Sequence, residues 1–196
     1  MPRRGHAHGR GLRVVAGEAG GLPLVAPKGA RTRPTADRVK EAVFAALGPD
    51  AIVDASVLDL YAGSGALAIE ALSRGASRAL LVDRDPRAID AIRANLRTTR
   101  TRDRAGTQRR TVTAFVHDEP PAEAPFDLVL LDPPYDTPAR EVAAVLDALA
   151  QPGWLSTGAI VVVEQAASAP VPQLVTGWEA RWERAYGDTL VRIVGP

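Results

Sequence analysis

The fold of this 196-residue chain is decided by Val57-Leu58-Asp59-Leu60-Tyr61-Ala62-Gly63-Ser64-Gly65-Ala66-Leu67-Ala68. The pattern predicts a strand that runs into a glycine turn and then opens a helix. Gly63 and Gly65 permit a tight turn and a close approach of the backbone to a ligand. Asp83, at the end of the next predicted strand, stands where an acid would bind ribose hydroxyls. The stretch therefore predicts a nucleotide-binding α/β fold.

The glycines alone leave two ligands open, because Gly-x-Gly-x-x-Ala also matches the dinucleotide fingerprint of NAD-dependent oxidoreductases. Asp59, four residues before Gly63, favours the other candidate, S-adenosylmethionine, over a dinucleotide. A carboxylate at the ligand end of the first strand would repel a pyrophosphate and attract an ammonium group. S-adenosylmethionine carries an α-ammonium and a positive sulfonium, so it is the predicted cofactor.

Outward from this stretch, short apolar runs alternate with helical patterns, as is typical of a mostly parallel sheet covered on both faces. The alternation from Trp178 to Val194 predicts a C-terminal antiparallel hairpin added to that sheet. Residues 98–110 have no apolar period and are predicted to form an exposed loop. The predicted strands lie near 57–61, 79–83, 111–116, 127–131 and 159–164, and the predicted helices near 66–74, 86–97 and 138–150.

The N-terminal part of the chain differs from this domain in composition. Residues 1–11 are rich in Gly, His and Arg and predict a basic tail. Apolar runs at 12–15 and 22–25 predict a small β-hairpin, and helical spacing predicts a helix over about 36–47. We therefore divide the chain into a basic extension, residues 1–48, and a Rossmann-like domain, residues 49–196.

Charge is unevenly distributed behind a net charge of +1. Residues 1–40 carry nine Lys or Arg and two acids, and residues 93–110 carry seven Arg and one acid. The rest of the chain has eight basic and twenty acidic residues. Two basic zones on an acidic body indicate a polyanionic partner, although Arg accounts for 22 of the 24 basic residues and a coding bias would favour Arg over Lys.

Composition also excludes several classes of protein. No run approaches the roughly eighteen apolar residues of a membrane span, and no signal-peptide core follows Met1, so a cytoplasmic protein is expected. The absence of cysteine excludes disulfides, thiolate metal sites and a cysteine nucleophile. The three histidines form no ligating pattern, so no metal is predicted, and no apolar surface stripe is evident, so a monomer is expected.

A second motif, Leu130-Leu131-Asp132-Pro133-Pro134-Tyr135, follows an apolar run. Pro133 and Pro134 fix their own φ and donate no backbone hydrogen bond, so the turn is stiff and its carbonyls remain available as acceptors. An acid, rigid acceptors and a flat ring together suit the binding of a planar base by its exocyclic amine. A plain surface turn is the alternative, because Asp-Pro-Pro is common in turns.

The combination of Asp59-x-x-x-Gly63-x-Gly65, Asp83 and Asp132-Pro133-Pro134-Tyr135 resembles the class I methyltransferases that modify exocyclic amines of nucleic-acid bases. Three further stretches narrow the resemblance to the RsmD family, whose members methylate N2 of a guanine in 16S rRNA of the small ribosomal subunit. These stretches are 33–42, 58–67 and 70–76.

The resemblance implies a role for individual positions. Residues implied to hold S-adenosylmethionine are Asp59, Tyr61, Ala62, Gly63, Ser64, Gly65, Asp83 and Arg84, with Asp118 as the candidate for the adenine-binding acid. Asp132, Pro133 and Pro134 would hold the guanine amine, and Tyr135 would stack on the extruded base. Residues expected on the RNA side are Arg10, Arg13, Arg31, Arg33, Thr35 and Arg38. The implied partner is 16S rRNA in the small subunit or in its assembly intermediate.

Two departures from the family pattern and two rival functions remain. Asp83 stands where such enzymes often carry Glu, and Asp118 lies in a short, proline-rich stretch. A methyltransferase acting on DNA or on another RNA, with adenine N6 as its target, would share the Asp-Pro-Pro-Tyr motif. A non-catalytic rRNA-binding assembly factor that retains the cofactor fold is the other rival.

Overall fold

The computed structural model describes residues 11–29 and 36–196. In that part of the chain, the helices are α1 (Ala36–Leu47), α2 (Ala66–Ser73), α3 (Pro86–Thr98), α4 (Val112–Val116) and α5 (Ala139–Leu149). The strands are β1 (Ser56–Leu60), β2 (Arg78–Asp83), β3 (Ala105–Arg109), β4 (Phe126–Leu131), β5 (Leu155–Ala166), β6 (Glu179–Tyr186) and β7 (Thr189–Gly195). Two 3₁₀ turns cover Pro49–Ala51 and Arg102–Arg104.

The seven strands form one sheet in the order β3-β2-β1-β4-β5-β7-β6. Strands β1 to β5 run parallel, and β7 pairs antiparallel with both β5 and β6. This arrangement confirms the predicted Rossmann-like fold with a C-terminal antiparallel hairpin. None of the helices in the described ranges is both long enough and apolar enough to cross a bilayer.

Strand β1 is the centre of the sheet. It pairs with β2 on one edge and β4 on the other, and all five of its residues are buried. Its alternate side chains enter two apolar clusters, one on each face, with Val57 in the first and Leu58 and Leu60 in the second. Such burial on both faces explains why the strand reads as an apolar run interrupted only by Asp59.

Two predictions around the third strand are wrong. Residues 111–116 were expected to form a strand, but Val112–Val116 is the helix α4, which Thr111 caps by accepting a hydrogen bond from the Ala114 N–H. The third strand is instead β3, which lies inside the segment predicted to be an exposed loop, 98–110. Its sequence, Ala-Gly-Thr-Gln-Arg, has little strand propensity, so pairing with β2 at the sheet edge determines its conformation.

The N-terminal extension is partly as predicted. Helix α1 matches the predicted helix at 36–47. The expected hairpin is reduced to a single bridge between Arg13 and Pro23, flanked by backbone hydrogen bonds from Val14 to Leu22 and from Leu24 to Leu12. Pro23 has no N–H to donate, which limits how far this pairing can extend.

The extension is fastened to the domain by Glu70 of α2, whose side chain is fully buried. Its carboxylate accepts hydrogen bonds from the backbone N–H groups of Val15 (2.7 Å) and Ala16 (3.0 Å). It also forms ion pairs with Lys40 of α1 (3.3 Å) and with Arg74 (2.7 Å). Burial lowers the pKa of the Lys40 ammonium, and the neighbouring Glu70 carboxylate opposes that change.

Ser73, one turn after Glu70, presents a second attachment on the same face of α2. Its hydroxyl accepts a hydrogen bond from the Ala19 N–H (2.9 Å) and donates one to the Ala16 carbonyl (2.5 Å). Gly17 has φ +82°, and a Cβ there would lie 1.8 Å from the Ser73 carbonyl oxygen. Only glycine fits this turn, because both the backbone angle and the space exclude a side chain.

We predict that Glu70→Gln lowers the free energy of unfolding by about 3–5 kcal/mol, because it leaves the buried Lys40 ammonium without its counter-charge. Urea denaturation followed by circular dichroism measures the change. Glu41→Gln is the matched control, since Glu41 is exposed on α1 and should change stability by less than about 0.5 kcal/mol. Equal urea midpoints for Glu70→Gln and the wild type would refute this role of Glu70.

Candidate active site

Three acids predicted for the site stand at the carboxyl ends of three adjacent strands. Asp59 is near the end of β1, Asp83 ends β2, and Asp132 directly follows β4. The sheet order places β1 between the other two. In open parallel sheets, ligands bind outside the carboxyl ends of the strands, so these acids occupy the expected ligand edge.

The glycine turn after β1 is built as the motif predicted. Gly63 and Gly65 have φ of +57° and +74°. A Cβ on Gly65 would lie 2.9 Å from the Leu81 side chain, which explains the need for glycine there. A Cβ on Gly63 would meet only the Tyr61 carbonyl oxygen, at 3.8 Å, so the backbone at Gly63 is open to close approach.

Asp59 and Asp83 both hold this turn. The Asp59 carboxylate accepts a hydrogen bond from the Ala68 N–H (3.1 Å) in the first turn of α2. The Asp83 carboxylate accepts from the Gly63 N–H (2.8 Å) and from the Asp85 N–H (2.8 Å). The two acids therefore position the strand, turn and helix relative to one another in addition to any part they take in ligand binding.

Asp59 is a buried carboxyl with only 1% of its surface exposed. Burial raises its pKa to about 8; the Ala68 N–H opposes this rise, and the negative charges of Asp132 and Asp83 reinforce it. All three acids lie at the carboxyl edge of the sheet. Among residues 11–29 and 36–196, however, no group of three or more acids or histidines is arranged to hold a metal ion.

A protein-family profile described as "Conserved hypothetical protein 95" matches residues 12–195 of the chain. Ribosomal RNA small subunit methyltransferase D of Escherichia coli strain K12 is 32% identical over 193 residues, which cover 98% of this chain and 94% of that relative. The chain belongs to the RsmD family. YlbH of Bacillus subtilis strain 168 is 35% identical over 182 residues, with coverage of 93% and 97%.

Solved structures agree with membership of the RsmD family. The Escherichia coli protein yhhF aligns with a TM-score of 0.82 at 30% identity, over 93% of this chain and 96% of that one. The Thermus thermophilus protein TTHA0928 aligns with a TM-score of 0.75 at 26% identity, over 92% and 97%. The cofactor of this RsmD family member is S-adenosylmethionine, so the NAD-dependent alternative is discarded.

The residues at the sheet edge fit this cofactor. Asp59 and Asp83 offer carboxylates of the kind that binds an ammonium group or ribose hydroxyls, and Gly63 leaves the backbone between them open. Asn95 of α3, which sequence reasoning missed, is hydrogen-bonded to the glycine turn. Its buried amide donates hydrogen bonds to the carbonyls of Ser64 (2.8 Å) and Val25 (2.9 Å) and accepts one from the Val25 N–H (2.8 Å).

Other residues predicted to bind the cofactor have different surroundings. Tyr61 adopts φ +61°, which is uncommon outside glycine, and its hydroxyl lies 3.4 Å from Glu141 of α5. Burial and the Glu141 carboxylate raise the Tyr61 pKa to about 12. Ala62 lies within the turn, where its N–H donates to the Val82 carbonyl (3.1 Å), and Arg84 is exposed after β2.

The prediction for Asp118 depends on a strand at 111–116, and this segment forms the helix α4. The residue directly after β3 is Arg110, whose N–H donates to the Asp83 carbonyl (3.1 Å). Asp118 is exposed, and its carboxylate forms an ion pair with Arg110 (2.6 Å). The role of Asp118 stays a prediction, without the strand on which it was based.

The substrate-side residues divide into described and undescribed positions. Pro133 is buried, Pro134 is exposed, and Tyr135 is half-buried with its hydroxyl hydrogen-bonded to that of Thr189 on β7. Arg13 is exposed and pairs with Asp37 (3.4 Å), and Arg38 is exposed on α1. Arg10, Arg31, Arg33 and Thr35 lie outside the described residues.

Sequence reasoning missed Glu70, Asn95 and Gln165, which are all buried polar residues. A polar side chain among the apolar residues of α2 was the available signal for Glu70. Nothing local indicates its partners, because Val15 and Ala16 are more than fifty residues away in sequence.

We predict that Asp59 makes the protein less stable as pH rises. The folded protein keeps the Asp59 proton to about pH 8, whereas the unfolded chain releases it near the ordinary pKa of 3.8. The folded state therefore binds more protons within this window, and the free energy of unfolding falls until the pH passes about 8. Urea titrations at intervals from pH 4.5 to 9 would measure the slope.

Asp59→Asn should remove this contribution. The difference in free energy of unfolding between wild type and variant should therefore change steadily as the pH rises towards about 8 and level off above that pH. Asp90→Asn, an exposed change on α3, is the control and should leave the slope as in the wild type. A pH profile of Asp59→Asn parallel to that of the wild type would contradict the raised pKa.

Proposed function

We propose that the protein transfers a methyl group from S-adenosylmethionine to the exocyclic N2 amine of a guanine in 16S rRNA of the small ribosomal subunit. The observation that carries the proposal is the position of Asp132-Pro133-Pro134-Tyr135 directly after β4, beside the Asp59 end of β1. The relative in Escherichia coli named as a small subunit ribosomal RNA methyltransferase matches nearly the whole chain, which supports the substrate class.

The cofactor would be held by the edge formed by β1, β2 and the glycine turn. Asp59 would attract the ammonium group, Asp83 would accept from the ribose hydroxyls, and Tyr61, Ala62, Ser64 and Arg84 would line the remainder. Bound S-adenosylmethionine supplies an electrophilic methyl group attached to a sulfonium, which leaves as a neutral thioether. Because Asp83 already accepts from Gly63, a bound ribose would share or replace that bond.

Asp132 and the Pro133 carbonyl would act on the guanine amine. The amine is a weak nucleophile, because its lone pair is delocalised into the ring. Hydrogen bonds from its two protons to these acceptors would favour a pyramidal nitrogen and direct the lone pair at the methyl group. After the N–C bond forms, the amine must lose one proton, and the Asp132 carboxylate would accept it.

The base must leave its stack to reach this site, and Tyr135 would stabilise the extruded form. Stacking on an aromatic ring contributes about 1–3 kcal/mol for each base. The hydrogen bond between the hydroxyls of Tyr135 and Thr189 fixes the ring against β7, so little side-chain freedom remains to be lost when a base stacks on it.

RNA phosphates would be bound by the basic N-terminal extension. Arg13 and Arg38 are exposed on it, and the predicted contributions of Arg10, Arg31, Arg33 and Thr35 belong to the same proposal. Phosphate contacts of this kind position a nucleic acid without reading its sequence. Selection of the base would therefore depend on the Asp132 end of the sheet.

Methyl transfer from labelled S-adenosylmethionine tests the proposal. The substrates are small ribosomal subunits lacking the modification, naked 16S rRNA and duplex DNA, and mass spectrometry identifies the product nucleoside. N2-methylguanosine in rRNA is the expected product. Methyladenine as the product, or label in DNA, would show that the proposed substrate is wrong. Binding of the cofactor without methyl transfer to any of these substrates would favour a non-catalytic assembly factor.

We predict that Asp132→Ala lowers kcat by at least a hundredfold and leaves S-adenosylmethionine affinity within about threefold of wild type, because the side chain would contact the guanine amine rather than the cofactor. Single-turnover transfer and calorimetric titration measure the two quantities. Asp136→Ala is the matched control, since Asp136 is an exposed acid four residues along. A near-normal rate for Asp132→Ala would remove this residue from the mechanism.

A further inference from the structure

A pocket lies beside the Asp-Pro-Pro-Tyr turn, on the face of the sheet that α5 covers. It is lined by Pro133, Tyr135, Val142, Gln165, Ala169 and Pro170 among others. The other four of these six side chains are apolar or proline. The pocket is small, and its walls are mostly apolar, with Tyr135, Thr137 and Gln165 as the polar lining residues.

The strand register explains why Gln165 lies beside the turn. Leu131 of β4 is paired with Val163 of β5, so the residues two positions further along are Pro133 and Gln165. Side chains two residues apart on a strand point to the same face. Gln165 consequently stands next to the proline that begins the turn, and both line the pocket.

The orientation of the Gln165 amide is fixed by its neighbours. The side chain is only 6% exposed, and its Nε2 donates to the carbonyl oxygens of Ala169 and Pro170, both at 3.4 Å. Carbonyl oxygens can only accept, so the NH₂ group must face them and Oε1 must point away. Within the described ranges, no protein donor reaches Oε1. A buried acceptor of this kind is costly unless a donor arrives.

The opposite side of the pocket is formed by Tyr135. Its hydroxyl is hydrogen-bonded to Thr189, which is paired in register with Ala166, the neighbour of Gln165. The Tyr135 hydroxyl is thereby held beside the end of β5. The side chains of Tyr135 and Gln165 thus line one small pocket next to the turn that carries Asp132.

We propose that Gln165 is a specificity-determining residue, whose Oε1 accepts a hydrogen bond from the ring N1–H of the target guanine. This inference rests on the proposed function. In guanine, N1–H and the 2-amine are adjacent donors on one edge of the base, so two different residues can each accept a hydrogen bond from one of them. In adenine, N1 is an acceptor, so its lone pair would face Oε1 and the base would be rejected. Asp132 would hold the reacting amine, and Gln165 would identify the ring to which it belongs.

2-Aminopurine separates these two contacts, because it keeps the 2-amine and lacks the proton on N1. Once the target nucleotide has been mapped by mass, small subunits can be reconstituted with 16S rRNA that carries either guanine or 2-aminopurine at that position. Wild-type enzyme should prefer guanine in kcat/KM by about tenfold to a hundredfold, the effect expected of one buried hydrogen bond.

Gln165→Met removes the acceptor and keeps a side chain of similar length. We predict that it lowers kcat/KM for guanine, which loses its acceptor, and raises kcat/KM for 2-aminopurine, whose N1 lone pair no longer faces an oxygen, so the preference disappears. Gln165→Ala is the second variant, for which the same loss of preference is expected. Gln151→Met, a change to an exposed glutamine, is the control and should keep the wild-type preference.

An equal fall for both bases would show that Gln165 only supports the fold, and an unchanged preference would show that it does not contact the base. Either result in an active enzyme overturns this inference alone. If the wild type transfers no methyl group to guanine, the proposed function fails, and the inference fails with it.

Discussion

The placement of β1 between β2 and β4 is the constraint on which the site depends. Strand β1 is hydrogen-bonded on both edges and packed on both faces, so a shift of one residue would turn its apolar side chains away from their clusters and Asp59 away from α2. The positions of Asp83 and Asp132 follow from the same pairing. A rigid sheet, rather than its loops, therefore sets the spacing of the three acids.

The burial of Asp59 opposes folding at the point where we propose that a cationic ligand binds. A carboxyl group that is almost fully removed from water and lies near two other acids is held in an unfavourable setting for its charged form. A positively charged ligand would improve that setting. The same feature that lowers the stability of the ligand-free protein would thus strengthen the attraction for the cofactor proposed to bind there, and perturbed pKa values of this kind are common at functional sites.

Much of this architecture was predictable from residues 57–68 and from the alternation that follows them. The third strand was not, because Ala105 is the only apolar side chain in its short sequence and only its pairing with β2 makes it a strand. The error at 111–116 was avoidable, since the buried residues Val112, Phe115 and Val116 have helical spacing. Asp59, Asp83 and Asp132 were predictable as site residues, because each lies at or near the end of a predicted strand. Glu70, Asn95 and Gln165 were not, because their partners are distant in sequence or depend on strand register.

The three hydrogen bonds of Asn95 have a mechanical consequence. The amide holds Ser64 in the glycine turn and both backbone groups of Val25 in the N-terminal extension. Displacement of Val25 would leave the amide with one partner, and the Ser64 carbonyl would then be held by a looser side chain. Movement of the extension and movement of the turn are therefore linked reversibly. Whatever orders one of them favours order in the other, to an equal extent in both directions.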